Sequence, residues 1–254
     1  MGVSILPSLV FYDTSNSVVK GVVKLITTEL MHYIDFDINE DTNRYYNDEG
    51  KSVPRVTEII SSMIHSDRLM IWSNRLGMRG LKYEKELERA ANFGTLAHSC
   101  IERYLKEKIK SESNIPFLGY LLWESVLKEK GIEVKPVLVE EKLSCKWFGG
   151  TLDAVLDISG RIYLIDFKTS NHVTFKYFLQ LAAYLYLLSL KGIYPDGVIV
   201  LQLDKKSPGF NEYLLNFSVP EHKMFIDHCM QAFFSIVFAY YNMKRVENEF
   251  THIF

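Results

Sequence analysis

The chain is short of cysteine, of net charge and of long apolar runs, and each shortage excludes a class. Its three cysteines, Cys100, Cys145 and Cys229, are widely spaced, with no Cys-x-x-Cys pair. That argues against a zinc ribbon, an iron–sulfur cluster and a disulfide framework, and it fits a reducing, cytoplasmic setting. The formal net charge is only -2. No global basic field advertises a nucleic-acid partner, so any such partner has to meet a local patch. No apolar stretch approaches a membrane span: the longest, Leu181 to Leu190, is interrupted by Tyr184, Tyr186 and Ser189. Met1 to Phe11 lacks a basic flank and meets Asp13 too soon for a signal peptide. Leu6 breaks the myristoylation pattern that Gly2 would begin. No repeat or low-complexity segment is visible.

What is present is an ordinary globular composition, 48% apolar over 254 residues. That length suits one large domain, or a domain with an elaborated N-terminal part. Residues 1–40, including the apolar stretch Val18 to Met31, do not distinguish helix from strand. Asp35 to Tyr46, the turn cluster Asn47-Asp48-Glu49-Gly50 and Val53 to Val56 read as a hairpin. Thr57 is placed to cap a helix from Glu58, and Gly77 and Gly80 are placed to break the basic stretch Arg68 to Lys85. After Gly94 a helix is expected with Leu96, Ile101, Tyr104 and Leu105 inward. A second helix follows from about Phe117 to Lys130, ending at Gly131. Then come a strand within Glu133 to Lys146, two strands around Ser159-Gly160, and an apolar helix from Phe175 to Leu190. Strands at Val198 to Leu203 and Glu212 to Phe217 precede a C-terminal helix from about Glu221 to Lys244. The order helix, three strands, helix, two strands, helix predicts a mixed α/β sheet flanked by helices, not an alternating doubly wound fold. The expected division is 1–90, an N-terminal hairpin and helical elaboration, and 91–254, the core with its C-terminal helix.

The chemistry gathers between Gly149 and Tyr184. Two β-branched apolar runs flank Ser159-Gly160 and read as a β-hairpin. A two-residue turn pairs Ile158 with Arg161, and counting back sets Asp153 opposite Asp166. Directly opposed residues have Cβ atoms roughly 4.5–5.5 Å apart. Lys168 shares the face of Asp166, while Phe167 points the other way. Two opposed carboxylates call for a compensating cation, and their oxygens suit magnesium or manganese. An ammonium beside metal-bound water can orient it and stabilise charge on a phosphoryl oxygen. A lone Asp-x-Lys is ordinarily a surface ion pair. Here it ends an apolar strand, follows an Asp thirteen residues upstream and precedes an apolar helix.

Asp153, Asp166-Phe167-Lys168 and the preceding Gly149-Gly150 together resemble the PD-(D/E)XK nuclease superfamily, more narrowly the RecB-type nuclease domain. Gly94-Thr95-Leu96-Ala97-His98 is similar to that branch's helix motif, and Gln180-Leu181-Ala182-Ala183-Tyr184 to its Gln-x-x-x-Tyr helix. Val53-Pro54-Arg55-Val56-Thr57-Glu58-Ile59, with Trp72 to Gly77 downstream, looks like the N-terminal part of phage and mitochondrial-type single-strand exonucleases. The resemblance spans about residues 40 to 204. It implies a restriction-endonuclease-like core. It implies Mg²⁺ or Mn²⁺ held by His98, Asp153, Asp166 and the main-chain carbonyl of Phe167, with Lys168 orienting the attacking water. Gln180 would position Lys168 or the scissile phosphate, with Tyr184 nearby. The iron–sulfur site of the CRISPR-adaptation branch is absent. Glu102, four residues after His98, and Glu140, thirteen before Asp153, are possible additional site residues. Arg68, Trp72, Arg75 and Arg79 are candidates for phosphate tracking and base stacking, against a solvated helix face.

The function implied is a metal-dependent deoxyribonuclease, an exonuclease on single-stranded DNA ends, of the phage or mobile-element recombination, replication or repair type. A structure-specific or endonucleolytic enzyme and a non-catalytic nucleic-acid-binding protein that keeps the fold stand as alternatives. Expected partners are DNA, with a homo-oligomer or a recombination partner protein left open. The expected place is the cytoplasm, the host's if the chain is viral, with no membrane association.

Overall fold

The structure, a computed structural model, describes residues 45–65, 67–110 and 114–253. The expectations for residues 1–40 and for the first part of the N-terminal hairpin lie outside the described residues. What remains of that hairpin is short: β1 (Tyr45–Tyr46) pairs antiparallel with β2 (Ser52–Val53). Its turn is built by Asn47, whose Oδ1 accepts the N–H groups of Glu49 and Lys51 at 3.0 and 2.8 Å, the usual reason Asn sits at turns.

Helix α1 (Val56–Met63) starts two residues earlier than Thr57 would allow as its cap. The capping group is instead Glu58, whose carboxylate accepts the Arg55 N–H at 3.4 Å. Helix α2 (Asp67–Met78) contains Gly77 in its last turn, and the break comes at Gly80, with φ +68°. Helix α3 (Tyr83–Glu107) then runs unbroken through Gly94 and through the expected division at residue 90. Its buried stripe is Ala97, Cys100, Ile101, Tyr104 and Leu105. Leu96, expected inward, is 54% exposed, because it lies about 100° around the helix from the centre of that stripe. Helix α4 (Ile115–Glu129) is capped by Asn114, whose Oδ1 accepts the Phe117 N–H at 2.9 Å.

The sheet has the order β3-β4-β5-β6-β7. Its strands are β3 (Val134–Ser144), β4 (Gly149–Ile158), β5 (Arg161–Lys168), β6 (Gly197–Leu203) and β7 (Phe210–Asn216). All neighbours pair antiparallel except β5 and β6, which are parallel. A parallel pair needs a crossover, and helix α5 (Phe175–Leu190) supplies it. The protein is therefore a mixed α/β fold with helices flanking a five-stranded sheet.

Strand alternation divides the core between the two faces. Ala154, Leu156, Tyr163, Ile165, Phe167, Ile199 and Leu201 pack with Cys100, Ile101, Phe117, Tyr120 and Trp123 of α3 and α4. On the other side lies α5, backed by α6 (Pro220–Ile253), where Phe148 meets Phe233 edge-on and Tyr186 at a tilt, and Tyr186 meets Phe234 edge-on. Sandwiched between sheet and α6, α5 is apolar around most of its circumference. Burying each such Leu contributes about 1.5–3 kcal/mol. Among the described residues no helix is long and apolar enough to cross a membrane. The three cysteines are free and buried.

Candidate active site

The turn between β4 and β5 sets the register of the site. Ser159 and Gly160 both have positive φ, 51° and 85°, as a two-residue type I′ turn requires. Two hydrogen bonds hold Ser159 there although it is not glycine. Its N–H donates to the Glu133 carbonyl at 3.0 Å, and its Oγ accepts the Glu133 N–H at 3.1 Å. Asp157 Oδ1 accepts the Gly160 N–H at 2.6 Å, so Asp157 is a turn residue. Ile158 pairs with Arg161, and the ladder runs back to Ala154 with Ile165.

At the next position the ladder stops, and the Asp153 side chain replaces it. Its Oδ2 accepts the Phe167 N–H at 2.7 Å. Its Oδ1 faces His98 Nδ1 of α3 at 3.3 Å. Glu140 of β3 stands opposite Asp153 of β4, between the pairs Val139–Ala154 and Glu141–Leu152, and its Oε1 lies 4.0 Å from the same His98 nitrogen. Glu140 has φ +51°, a left-handed conformation that costs a β-carbon-bearing residue about 1 kcal/mol. Ligand atoms of His98, Glu140 and Asp153 all lie within 4.8 Å of one another. These donors, one imidazole and two carboxylates, are of the kind that hold a divalent cation.

Asp166, expected as a metal ligand, lies beside this cluster and outside the three-residue group, and is only 2% exposed. Lys168 Nζ sits 2.7 Å from its Oδ1 and 2.6 Å from its Oδ2. Only the first contact has hydrogen-bond geometry, leaving the buried Oδ2 without a hydrogen-bond donor. A carboxylate oxygen so placed fits a cation ligand. Lys168 also faces the ring of Tyr177, 4.9 Å from its centroid.

The charges bias one another. Burial disfavours the His98 imidazolium, but the Asp153 carboxylate and its hydrogen bond outweigh that and raise His98 to about 9. Burial, then the neighbouring Asp153 charge, pushes Glu140 up to about 7. Burial opposes ionisation of Asp153, yet His98, Lys168 and the Phe167 N–H bring it below the usual carboxylate value. Burial lifts Asp166 to about 6 against the pull of Lys168. Lys168 is held above its ordinary value, because Asp166 and Asp153 overcome the cost of its burial. Several carboxylates crowded into low dielectric with few cations form a site that a divalent ion would relieve.

Gln180 and Tyr184 share a face of α5. The Gln180 amide donates to Tyr184 OH at 3.3 Å, so its hydrogen bond goes to Tyr184 and not to Lys168. Tyr184 is buried against β4, where a β-carbon on Gly150 would lie 2.5 Å from its ring. A β-carbon on Gly149 would meet Tyr45 at 2.5 Å. The Gly149-Gly150 pair thus admits two tyrosines, one to each residue.

The remaining sequence candidates fall elsewhere. Glu102 pairs with Lys106 at 2.8 Å and is outside the ligand cluster. Trp72 is half-buried and meets Tyr83 edge-on, centroids 5.4 Å apart, packing α2 on α3. Arg75 and Arg79 are exposed. The Arg68 side chain lies outside the described ones. Sequence reasoning missed Tyr177 and Gln202. Tyr177 precedes Gln180 by three and Tyr184 by seven, a helical spacing that could have found it. Gln202 is β6's partner to Lys168 and is buried. Its Nε2 donates to the Ser170 carbonyl at 2.7 Å and its Oε1 accepts from Asn211 at 3.2 Å, which ties down the chain just after Lys168.

No family model and no curated protein matches the chain. A solved structure, the crystal structure of SSO0001, is similar to it with a TM-score of 0.32 and 15% identity, covering 87% of each chain. At that level the likeness carries no argument about what the chain does.

Proposed function

We propose that the protein is a divalent-metal-dependent nuclease of the PD-(D/E)XK type. It hydrolyses phosphodiester bonds in DNA, as an exonuclease on single-stranded ends. The observation that carries this reading is the meeting of His98, Asp153 and the Asp166–Lys168 pair where β4 and β5 part company. They come from a helix and two strands, at the carboxyl end of β5 beside its parallel neighbour, where ligands of open α/β sheets usually bind. The DNA substrate and the preference for ends rest on the sequence resemblance.

His98, Asp153, Asp166 and the Phe167 carbonyl, with Glu140 added, would hold Mg²⁺ or Mn²⁺. When bound, such an ion polarises a phosphoryl oxygen and makes water a stronger nucleophile at neutral pH. His98 has to present Nδ1 unprotonated, since that nitrogen faces both acids. The Lys168 ammonium donates a hydrogen bond to the attacking water or to a phosphate oxygen that gains charge. Asp166 aims the ammonium. Asp153 fixes the end of β5 through the Phe167 N–H and keeps its other oxygen toward His98.

The substrate class is tested with end-labelled linear and closed-circular DNA, single- and double-stranded, with Mn²⁺, Mg²⁺ or EDTA. Degradation of linear single strands with metal and sparing of circles is expected. Cutting of circles would replace the exonuclease reading with an endonuclease. DNA binding without metal-dependent cutting would leave a non-catalytic binding protein.

A further inference from the structure

Lys168 is held from two directions, and only one of them is an acid. Its Nζ donates to Asp166 Oδ1 and lies 2.6 Å from Oδ2, and Tyr177 of α5 presents its ring 4.9 Å away. That ring is itself fixed. Tyr177 sits in the first turn of α5, with its N–H on the Thr174 carbonyl at 3.1 Å. The adjacent Lys176 ammonium donates to the Ile64 carbonyl at the end of α1, which anchors the turn from outside.

We propose that Tyr177 positions Lys168 for the reaction, holding the ammonium by its ring face. The inference rests on the nuclease reading above. A cation on Asp166 Oδ2 would repel the ammonium, which lies 2.6 Å from that oxygen. A ring face attracts the ammonium without competing for lone pairs and without taking a proton. It therefore keeps Nζ in place when Asp166 is shared, and it leaves N–H groups free to point at water or phosphate. Tyr177, Gln180 and Tyr184 then form one working face of α5: a ring on Lys168, an amide, and a hydroxyl seated over Gly150.

The test compares wild type with Tyr177→Phe, Tyr177→Leu and the unbranched Tyr177→Met. Cleavage of linear single-stranded DNA is followed in Mn²⁺, with Mn²⁺ affinity measured separately by calorimetry. The Leu and Met variants should lose about tenfold in kcat while KM and Mn²⁺ affinity change less than about twofold, and the Phe variant should recover most of the rate. An unchanged kcat in both Leu and Met variants, or a Phe variant as slow as Leu, would overturn the assignment. A crystal structure of Tyr177→Met with Mn²⁺ should show Nζ displaced from its place in the Mn²⁺-loaded wild type; an undisplaced Nζ would also overturn it. If the wild type shows no metal-dependent cleavage, the nuclease reading fails, and the Tyr177→Met structure still decides whether the ring holds Lys168.

Discussion

Asp153 and Phe167 are joined where the hairpin ladder gives out: the carboxylate Oδ2 accepts the Phe167 N–H at 2.7 Å, one position past the last main-chain pair, Ala154 with Ile165. The carboxylate therefore does two jobs. It completes the strand pairing, and it sets its other oxygen against His98.

These jobs separate by substitution. Asp153→Asn keeps an oxygen for the Phe167 N–H but loses the charge, so the protein should fold with a melting temperature near wild type. His98, with burial no longer opposed by this carboxylate, should titrate well below about 9. Activity should fall by roughly 10²-fold or more. Asp153→Ala should lose activity and also stability, by about 1–3 kcal/mol, because a largely buried N–H loses its acceptor. Thermal melting and NMR titration of His98 check both.

The pH dependence of metal binding follows from the same cluster. Raised pKa values mean that the folded, metal-free protein binds protons more tightly than the unfolded chain. For His98, ordinarily 6.5 and here about 9, the stabilising contribution is complete below 6.5 and is lost as pH rises through 9. For Glu140, ordinarily 4.5 and here about 7, stability likewise declines as pH rises from 4.5 through 7. Asp153, lowered from 3.8, acts the other way, and only in acid as pH falls below that value. A divalent cation competes with these protons. Mn²⁺ should therefore raise the melting temperature more at pH 8 than at pH 6, and binding should release protons, seen as a dependence of calorimetric heat on the buffer's ionisation enthalpy. An equal or smaller shift at pH 8 would show that His98 and Glu140 are not ligands.

Gly150→Ala puts a β-carbon 2.5 Å from the Tyr184 ring. Something has to move, at a cost of about 1–3 kcal/mol. The expected results are a lower midpoint in urea and weaker cleavage, because Tyr184 and its bond to Gln180 shift together.

Gln202→Leu preserves bulk but leaves the Ser170 carbonyl without its 2.7 Å donor. A loss of about 1–3 kcal/mol is expected in denaturant unfolding. Faster amide exchange at Thr169 and Ser170 is expected as well, because the chain after Lys168 loses its tie.

The hairpin register and the limits of α5 were legible in the sequence because their signals are local. Alternating β-branched residues around Ser159-Gly160 and a long apolar run ending before Gly192 suffice. Ser-Gly is a weak type I′ turn pair; the Glu133 and Asp157 contacts that support it are long-range or side-chain details outside such patterns. Glu140 was legible only as a residue thirteen before Asp153. Its left-handed backbone inside a strand has no residue-type signature, since glutamate is not a left-handed residue. Leu96 misled because an apolar residue near a glycine suggested an inward start, whereas the helix continued through Gly94 and its stripe was already fixed. Tyr177 shares the helical spacing of Gln180 and Tyr184, but its partner Lys168 lies on a strand, outside any pattern within the helix.

The most direct test of the central claim is the rate of release of 5′- or 3′-label from linear single-stranded DNA in Mn²⁺, for wild type, Asp166→Ala and Lys168→Met. The account predicts cleavage that EDTA abolishes. It also predicts roughly 10²–10³-fold slower cleavage in both variants, with the folded state retained. Metal-independent cleavage, or variants as fast as wild type, would contradict it.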